Sequence, residues 1–329
     1  MAKAPLRFQK PDAEISVQEL GIGTSDWLAN GEFADLSPQT LATRRFLLTK
    51  LVWFLNEQGM SSCGPREIRA FFNYLKHAHE GPEGRWGNPQ LRNPIRPATR
   101  LTYFNILKQF FAFLVSDGVV EASPCAALPT PEARQDQIVP FSEQQVNALL
   151  DAARRSKNRR RDEALVLFLL DTGCRASEVC SLRMRDVDLG SRRCNVLGKG
   201  NKSRSVFLGK KVLRALWTYL KEEPREDDEP LFTASRGQGT GEPLTRSGLL
   251  QLIERLGKAA KIEAVRCSPH TFRHTFAVTF LRNGGNTFAL QHLLGHTNLK
   301  MTNRYVAMAQ ADLEVQHRHC SPADRLKRA

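Results

Sequence analysis

The chain has 329 residues, and 41% of them are hydrophobic, which is enough for packed cores and excludes a protein that is disordered throughout. Its 48 Lys and Arg outnumber its 34 Asp and Glu, and the net charge of +14 favours a polyanionic partner such as nucleic acid, with a merely basic soluble protein as the alternative. The 7 cysteines form no C-x-x-C pair, which indicates reduced thiols rather than a zinc or redox motif.

We expect no targeting or membrane segment in this chain. The first residues, MAKAPLRFQKPDAEISV, contain no apolar run of the kind found in secretory signals. The longest strongly apolar run, ALVLFLL at 164–170, is far too short to cross a bilayer and is typical of a buried helix segment. With the reduced thiols, these features predict a cytoplasmic protein without a membrane partner.

Three amphipathic patterns predict helices in the N-terminal part of the chain. The first runs from the Ser37–Pro38 start signal to Gly59, and the others cover 64–79 and 98–118. Each pattern places apolar side chains on one helical face. The sequence therefore predicts a helical N-terminal domain over residues 1–131.

The stretch EGPEGRWGNPQLRNPIRP, at 80–97, interrupts these helices. Its Gly, Pro and Asn content predicts a loop, and a loop of this length in a compact domain is often functional. It carries Arg85, Trp86, Arg92 and Arg96. An arm that contacts DNA and a plain surface insertion both remain open as interpretations.

The stretch LPTPEARQDQIVPF, at 128–141, contains three prolines around a polar middle and separates two regions of the chain. It predicts a linker at 132–138, followed by a second domain at 139–309. The basic run 154–161 is read as a solvated face or as a contact to DNA phosphates. Two short strands are predicted at 194–197 and 205–208, and the turn sequence GKGNK between them predicts a β-hairpin.

Six polar residues at the ends of predicted elements form a candidate active site. They are Arg175, Lys199, His270, Arg273, His296 and Tyr305. Two guanidinium groups can hold the oxygens of a phosphate and stabilise its developing charge. A tyrosine hydroxyl can act as a nucleophile when a base takes its proton, and a lysine can protonate the leaving oxygen. These residue types suffice to cleave a nucleic-acid backbone without metal or ATP.

Four motifs in order give the sequence a resemblance to the tyrosine recombinase family, which includes the phage integrases and Xer-like proteins. They are TGCRASE with Arg175 and its acidic partner Glu178, GKGNKSR with Lys199, HTFRHT with His270 and Arg273, and LLGHTNLKMTNRYV with His296 and Tyr305. The resemblance covers roughly residues 141–309 and extends more loosely to the N-terminal helices. It implies a mainly α fold with a small β-sheet, in which a helical core-binding domain precedes an α/β catalytic domain.

The resemblance also implies a role for each residue. Tyr305 attacks the scissile phosphate and forms a 3′-phosphotyrosine, while Arg175 and Arg273 hold that phosphate. His296 supports the developing charge, Lys199 is the acid for the leaving oxygen, and His270 is the base for Tyr305. Lys202 is an alternative for Lys199, since hairpin positions are poorly fixed by sequence. No cofactor or metal is expected.

The implied activity is site-specific DNA recombination or integration, including that of mobile elements. The implied partners are double-stranded DNA, bound at two sites, and three further copies of the chain in a homo-tetramer, which suggests a nucleoid-associated protein. An accessory DNA-bending protein, the target sequence and the host process remain open. The alternatives are a type IB topoisomerase-like activity and a DNA-binding protein without catalysis.

Two further features have competing interpretations. The pairs His270/His274 and His292/His296 have a spacing that can bind zinc, but neither pair encloses the glutamate of an HExxH motif, so packing or supporting roles are favoured for His274 and His292. The tail, 310–329, is either a frayed basic terminus or a segment that docks on a neighbouring subunit.

Overall fold

The computed structural model describes residues 13–132, 139–198, 203–234, 241–296 and 298–309, together with His317, Ser321 and Ala323. The chain divides into two compact units, Met1–Asp136 and Gln137–Ala329. Apart from Glu132 and those three isolated positions, the predicted linker and tail lie outside the described residues, so both stay predictions. No described helix is both long and apolar enough to cross a membrane.

Helices make up most of the N-terminal unit. Its elements are β1 (Ile15–Ser16), α1 (Val17–Phe33), α2 (Pro38–Glu57), β2 (Ser62–Cys63), α3 (Pro65–Lys76) and α4 (Pro97–Ser116), with β1 antiparallel to β2. Ser16 and Ser37 accept backbone N–H groups of the first turns of α1 and α2, and such caps stabilise a helix start. The three predicted helices are present as α2, α3 and α4, whereas α1 was not predicted.

The apolar faces of these helices form one core. Leu51, Phe71, Leu107 and Phe111 have no exposed surface, and all four lie on the faces predicted to point inward. Burying each such side chain contributes about 1.5 to 3 kcal/mol before the entropy of ordering is counted. The helical period of the apolar residues therefore determines how this unit packs.

Helices and a small sheet make up the second unit. Its elements are α5 (Glu143–Arg154), α6 (Arg159–Thr172), α7 (Ala176–Ser181), β3 (Val187–Asp188), β4 (Arg193–Leu197), β5 (Ser203–Phe207), α8 (Lys210–Glu222), α9 (Arg246–Ala259), α10 (Pro269–Arg282), α11 (Thr287–Leu294) and α12 (Leu299–Ala309). The sheet is antiparallel in the order β3-β4-β5. The predicted fold class is confirmed. The predicted hairpin is present, and the two-residue β3 was too short to predict.

Helix α6 lies at the centre of this unit. It contacts α5, α8 and α10, and its apolar run 164–170 is a buried helix segment as predicted. The backbone N–H of Phe141 donates to the hydroxyl of Thr275 on α10 at 2.9 Å, which ties the start of the unit to the same core. The core thus fixes the end of α6, helix α10 and the end of α11, near which Arg175, Arg273 and His296 lie.

The basic run 154–161 is not a uniformly solvated face. Arg161 is only 3% exposed, and it donates to Asp162 at 2.6 Å and to a main-chain carbonyl at 2.8 Å. Arg154 and Arg160 remain at the surface and pair with carboxylates. The prediction was wrong for Arg161, because its position on α6 turns it inward and the adjacent aspartate neutralises its charge.

Candidate active site

The C-terminal end of α11 collects three arginine side chains. Gly295 ends this helix in the left-handed conformation with φ of 61°, and the last carbonyls of any helix lack partners within it. Guanidinium groups supply them here: Arg204 bonds Leu293 O at 2.7 Å, Arg273 bonds Leu294 O at 2.7 Å and Arg175 bonds Gly295 O at 3.1 Å. The negative end of the helix dipole favours such cations.

Glu178 fixes two of these arginines from the other side. Its carboxylate accepts from Arg175 at 2.8 Å and from Arg204 at 2.8 and 2.9 Å, and it also accepts the backbone N–H of Arg175 at 2.7 Å. Glu178 is only 2% exposed. Burial alone would raise its pKa, but the hydrogen bonds and charges of Arg204 and Arg175 outweigh burial and hold the pKa below its ordinary value.

Arg204 is a site residue that the sequence interpretation missed. It lies on β5 opposite the buried Val196 and on the same face as the buried Val206. Because side chains alternate along a strand, an arginine at that position points inward and needs a buried acidic partner. This alternation was the one available signal, since the partner Glu178 lies far away in the sequence.

Arg273 is buried on α10 between two helix ends. It donates to Gly173 O at 2.9 Å as well as to α11. Gly173 ends α6 with φ of 58°, and a Cβ there would lie 2.5 Å from a ring carbon of Phe276. Burial and the neighbouring charge of Arg175 lower the pKa of Arg273 to about 10. Two guanidinium groups that repel each other in a desolvated site favour an anionic ligand.

His296 follows Gly295 and is buried in the same cluster. Its Nδ1 atom lies 2.9 Å from the hydroxyl of Thr302 on α12, which fixes the orientation of the imidazole ring. Burial, with the charges of Arg273 and Arg175, lowers the pKa of His296 to about 4. The ring is therefore neutral at pH 7, and its Nε2 atom is left to contact a ligand.

Tyr305 lies on α12 and is 2% exposed. Its ring is nearly parallel to that of His296, with 6.1 Å between centroids, and lies 5.1 Å from the ring of His274. Burial raises the pKa of Tyr305, and the charge of Arg273 opposes this only in part. The phenol is therefore protonated at pH 7, so a nucleophilic role requires a base.

The structure brings most of the predicted residues together. Arg175 and Arg273 bind adjacent carbonyls at the end of α11, His296 follows directly, and Tyr305 contacts His296. Lys199 and its alternative Lys202 lie outside the described residues, between β4 and β5. Their role stays a prediction.

Residues 140–312, more than half of the chain, match the phage integrase family. The chain is a member of the phage integrase family. The tyrosine recombinase XerC of Shewanella amazonensis is 29% identical over 287 residues, covering 86% of this chain and 88% of that protein. The tyrosine recombinase XerD of Proteus mirabilis is 33% identical over 306 residues, covering 91% and 90%. The predicted family is thus confirmed.

The fold of this phage integrase family member recurs in a solved structure. The Tn1549 transposon integrase, in complex with transposon right end DNA, has a TM-score of 0.69 with 18% sequence identity, covering 93% of this chain and 100% of that chain. At this identity the likeness shows the fold alone.

A histidine pair completes the site of this phage integrase family member. The Nε2 atoms of His270 and His274 are 3.1 Å apart, so one ring donates and the other accepts. His274 is fully buried, and its Nδ1 atom has no hydrogen-bond partner within the described part of the chain. Burial lowers the pKa of both rings, that of His274 to about 3, so both are neutral at pH 7.

Substituting Glu178→Gln should destabilise the protein strongly. The change leaves Arg175 and Arg204 facing each other without their shared carboxylate, and breaking a buried ion pair typically costs about 3 to 5 kcal/mol. Glu222→Gln is the matched control, because its pair with Arg160 is exposed and such pairs contribute at most about 1 kcal/mol. Urea unfolding of both variants measures the difference, and equal losses would contradict the role given to Glu178.

Proposed function

We propose that the chain is a site-specific DNA recombinase that cuts a DNA strand with Tyr305 and joins the cut end to another strand. The observation that carries this proposal is the contact of the Tyr305 ring with His296, beside two guanidinium groups held on the end of α11. Membership of the phage integrase family and the tyrosine recombinases among its relatives support it.

Each step breaks one phosphoester bond and forms another, so the number of such bonds does not change. The Tyr305 oxygen bonds the phosphorus, the bond from phosphorus to the 5′ oxygen breaks, and a 3′-phosphotyrosine remains. The Tyr305 proton passes to a base, for which His270 is proposed, and the 5′ oxygen takes a proton from Lys199. The 5′-hydroxyl of a partner strand then attacks the phosphotyrosine and gives its proton to Lys199, while the Tyr305 oxygen leaves and takes a proton back from the base. No ATP is consumed, because one phosphoester replaces another.

Arg175 and Arg273 are proposed to hold the non-bridging oxygens of the scissile phosphate. Their carbonyl and carboxylate bonds fix the guanidinium planes before substrate binds, so little reorganisation is needed when charge develops. The Nε2 atom of His296 is proposed to support the same charge. An anionic phosphate would also relieve the repulsion between the two guanidinium groups.

The proposed partner is double-stranded DNA, and a homo-tetramer on two DNA sites is the proposed assembly. Exchange between two duplexes needs a nucleophile for each strand, and four copies supply them. The tail, 310–329, is proposed to dock on a neighbouring copy, which would link the placement of Tyr305 to assembly. A nucleoid location follows from the DNA partner, and an accessory DNA-bending protein remains an open part of the proposal.

A plasmid that carries two target sites should distinguish exchange from relaxation. The site is first selected by covalent capture from a random pool of nicked duplexes. Wild-type protein should then yield exchanged products, and Tyr305→Phe should yield none while still binding the DNA, because it loses only the nucleophilic oxygen. Relaxed circles without exchanged products would favour the topoisomerase alternative, and products from Tyr305→Phe would exclude Tyr305 as the nucleophile.

Arg273→Lys should slow cleavage far more than it weakens binding. Lysine keeps the charge but loses the guanidinium fork, and removing one transition-state donor typically costs about 100-fold or more in rate. Arg282→Lys is the matched control, an exposed arginine on the same helix. Cleavage of the captured duplex and gel-shift binding are measured on the same preparations. Equal losses in binding and cleavage would instead make Arg273 a simple anchor.

A further inference from the structure

The loop 80–97 of the N-terminal unit is a compact structure rather than a free arm. Its backbone is closed by hydrogen bonds from Arg85 N to Leu91 O at 2.8 Å and from Leu91 N to Asn88 O at 2.9 Å. The N–H of Ile95 donates to the carbonyl of Leu75 at 2.9 Å, which ties the loop to the end of α3. The backbone of the loop is therefore held in a defined conformation against the end of α3.

Trp86 anchors this loop to the helices. Its backbone has φ of 64°, a left-handed conformation that bulky residues rarely adopt and that persists only where the surroundings impose it. The surroundings here are Tyr74, which accepts the Trp86 N–H at 3.0 Å, and the rings of Trp53, Tyr74 and Phe71 at 5.2 to 6.0 Å. Trp86 thus forms one wall of a cavity.

This cavity has a volume of about 400 Å³ and lies between the loop, α2 and α4. Its lining includes the basic residues Lys50, Arg85 and Arg96 and the aromatic residues Phe46, Trp86 and Tyr103. None of its lining residues is acidic, and none of the three cations forms an ion pair with a residue that the structure describes. The cavity therefore carries three uncompensated positive charges.

The position of the Lys50 ammonium group indicates which class of ligand the cavity binds. Its ammonium group lies 5.3 Å from the centroid of Trp86 and 5.6 Å from that of Phe46, so a cation rather than a base occupies the cavity side of these two rings. Arg96 directly precedes α4, so its charge lies at the positive end of that helix dipole. Converging cations at a helix start suit a phosphate.

We propose that this cavity binds a backbone phosphate of the DNA, and this proposal rests on the proposed function. It assigns the loop, which has no place in the cleavage chemistry, to gripping the substrate. A contact to a phosphate positions the duplex and carries no sequence information. The contact strengthens binding of DNA to the N-terminal unit and fixes the position of the duplex along it.

The test is the salt dependence of binding to a random duplex of fixed length. The logarithm of the binding constant falls linearly with the logarithm of the salt concentration, and each lost phosphate contact makes that slope shallower by about 0.9. Arg96→Gln and Lys50→Gln should each weaken binding, and the double variant should lower the slope by about 1. Lys108→Gln removes the same charge from α4 at an exposed position that does not line the cavity, and it should leave the slope unchanged.

Each outcome has one meaning. A slope for the double variant equal to that of wild type, or a matching decrease in Lys108→Gln, would overturn the phosphate site while leaving recombination untouched. If wild-type protein bound no duplex at all, the proposed function itself would fail. Near-UV circular dichroism of each variant confirms that the aromatic cluster around Trp86 is intact.

Two histidine rings lie against the Tyr305 ring and are candidates for its base. Among the described ring contacts, Tyr305 contacts His274 and His296. His274 is buried between Tyr305 and His270: its ring contacts Tyr305, its Nε2 atom is 3.1 Å from His270, and its Nδ1 atom is unpartnered. A buried nitrogen without a hydrogen-bond partner carries the free-energy cost of its lost hydration, so a functional reason for it is expected.

We infer that His274 passes the Tyr305 proton to His270, which also rests on the proposed function. Once substrate is bound and the Tyr305 hydroxyl reaches His274 Nδ1, that atom takes the proton as the tyrosine oxygen bonds phosphorus, and the Nε2 proton of His274 moves to Nε2 of His270. His270, which is exposed, then carries the extra proton and releases it to solvent. His274 is thus a catalytic residue, whereas the sequence interpretation favoured a packing or supporting role for it.

The pH profile of cleavage separates this relay from a structural role. His274→Phe keeps a buried ring but cannot move a proton, and cleavage at pH 7 should fall by about 100-fold or more. The rate of this variant should then rise about tenfold per pH unit, because phenolate forms without a base. The cleavage rate of His270→Gln should show the same loss and the same pH dependence. His292→Phe changes an exposed residue on α11, and its cleavage rate should equal that of wild type.

A loss in His274→Phe that is the same at every pH would show misplacement of Tyr305 and overturn the relay. A rate equal to wild type at pH 7 would do the same. Wild-type protein that forms no covalent adduct at any pH would instead contradict the proposed function, so the two failures are distinguishable.

Discussion

The end of helix α11 is the constraint on which the site depends. A helix that stops at Gly295 leaves carbonyls without partners. Arg175, just before α7, Arg204 on β5 and Arg273 on α10 supply those partners. Glu178 then locks two of the three. Because these segments are far apart in the chain, the cluster forms only when the whole second unit is folded. Folding and preorganisation of the site are therefore the same event.

The charge balance of this cluster explains its chemistry. Three guanidinium groups face one carboxylate, His274 and His296 are held neutral by burial, and Tyr305 stays protonated. Positive charge is left in excess in a site shielded from water, where electrostatic interactions are strong. A phosphate restores the balance, and its charge grows in the transition state, so the same excess that destabilises the empty site stabilises the reaction.

Local sequence patterns predicted what depends on neighbours in the chain. Apolar periodicity located α2, α3 and α4, and the spacing of His270 and Arg273 put both on α10. Arg204 escaped prediction because its partner Glu178 meets it only when the sheet packs against α7. Helix α1 escaped because its capping box at Ser16 precedes a glycine-containing segment with only a weak apolar stripe. Burial of His274 is likewise a product of tertiary packing.

Covalent attachment of DNA to Tyr305 is the central claim for this recombinase, and mapping the attachment site tests it most directly. Wild-type protein is trapped on nicked duplexes, the DNA is digested to a nucleotide, and tryptic peptides are examined by mass spectrometry. Cleavage after Arg304 gives a peptide that begins at Tyr305, and that peptide should carry the nucleotide phosphate on its tyrosine. A nucleotide on Tyr74, Tyr103 or Tyr219, or no modified peptide from a trapped adduct, would contradict the account.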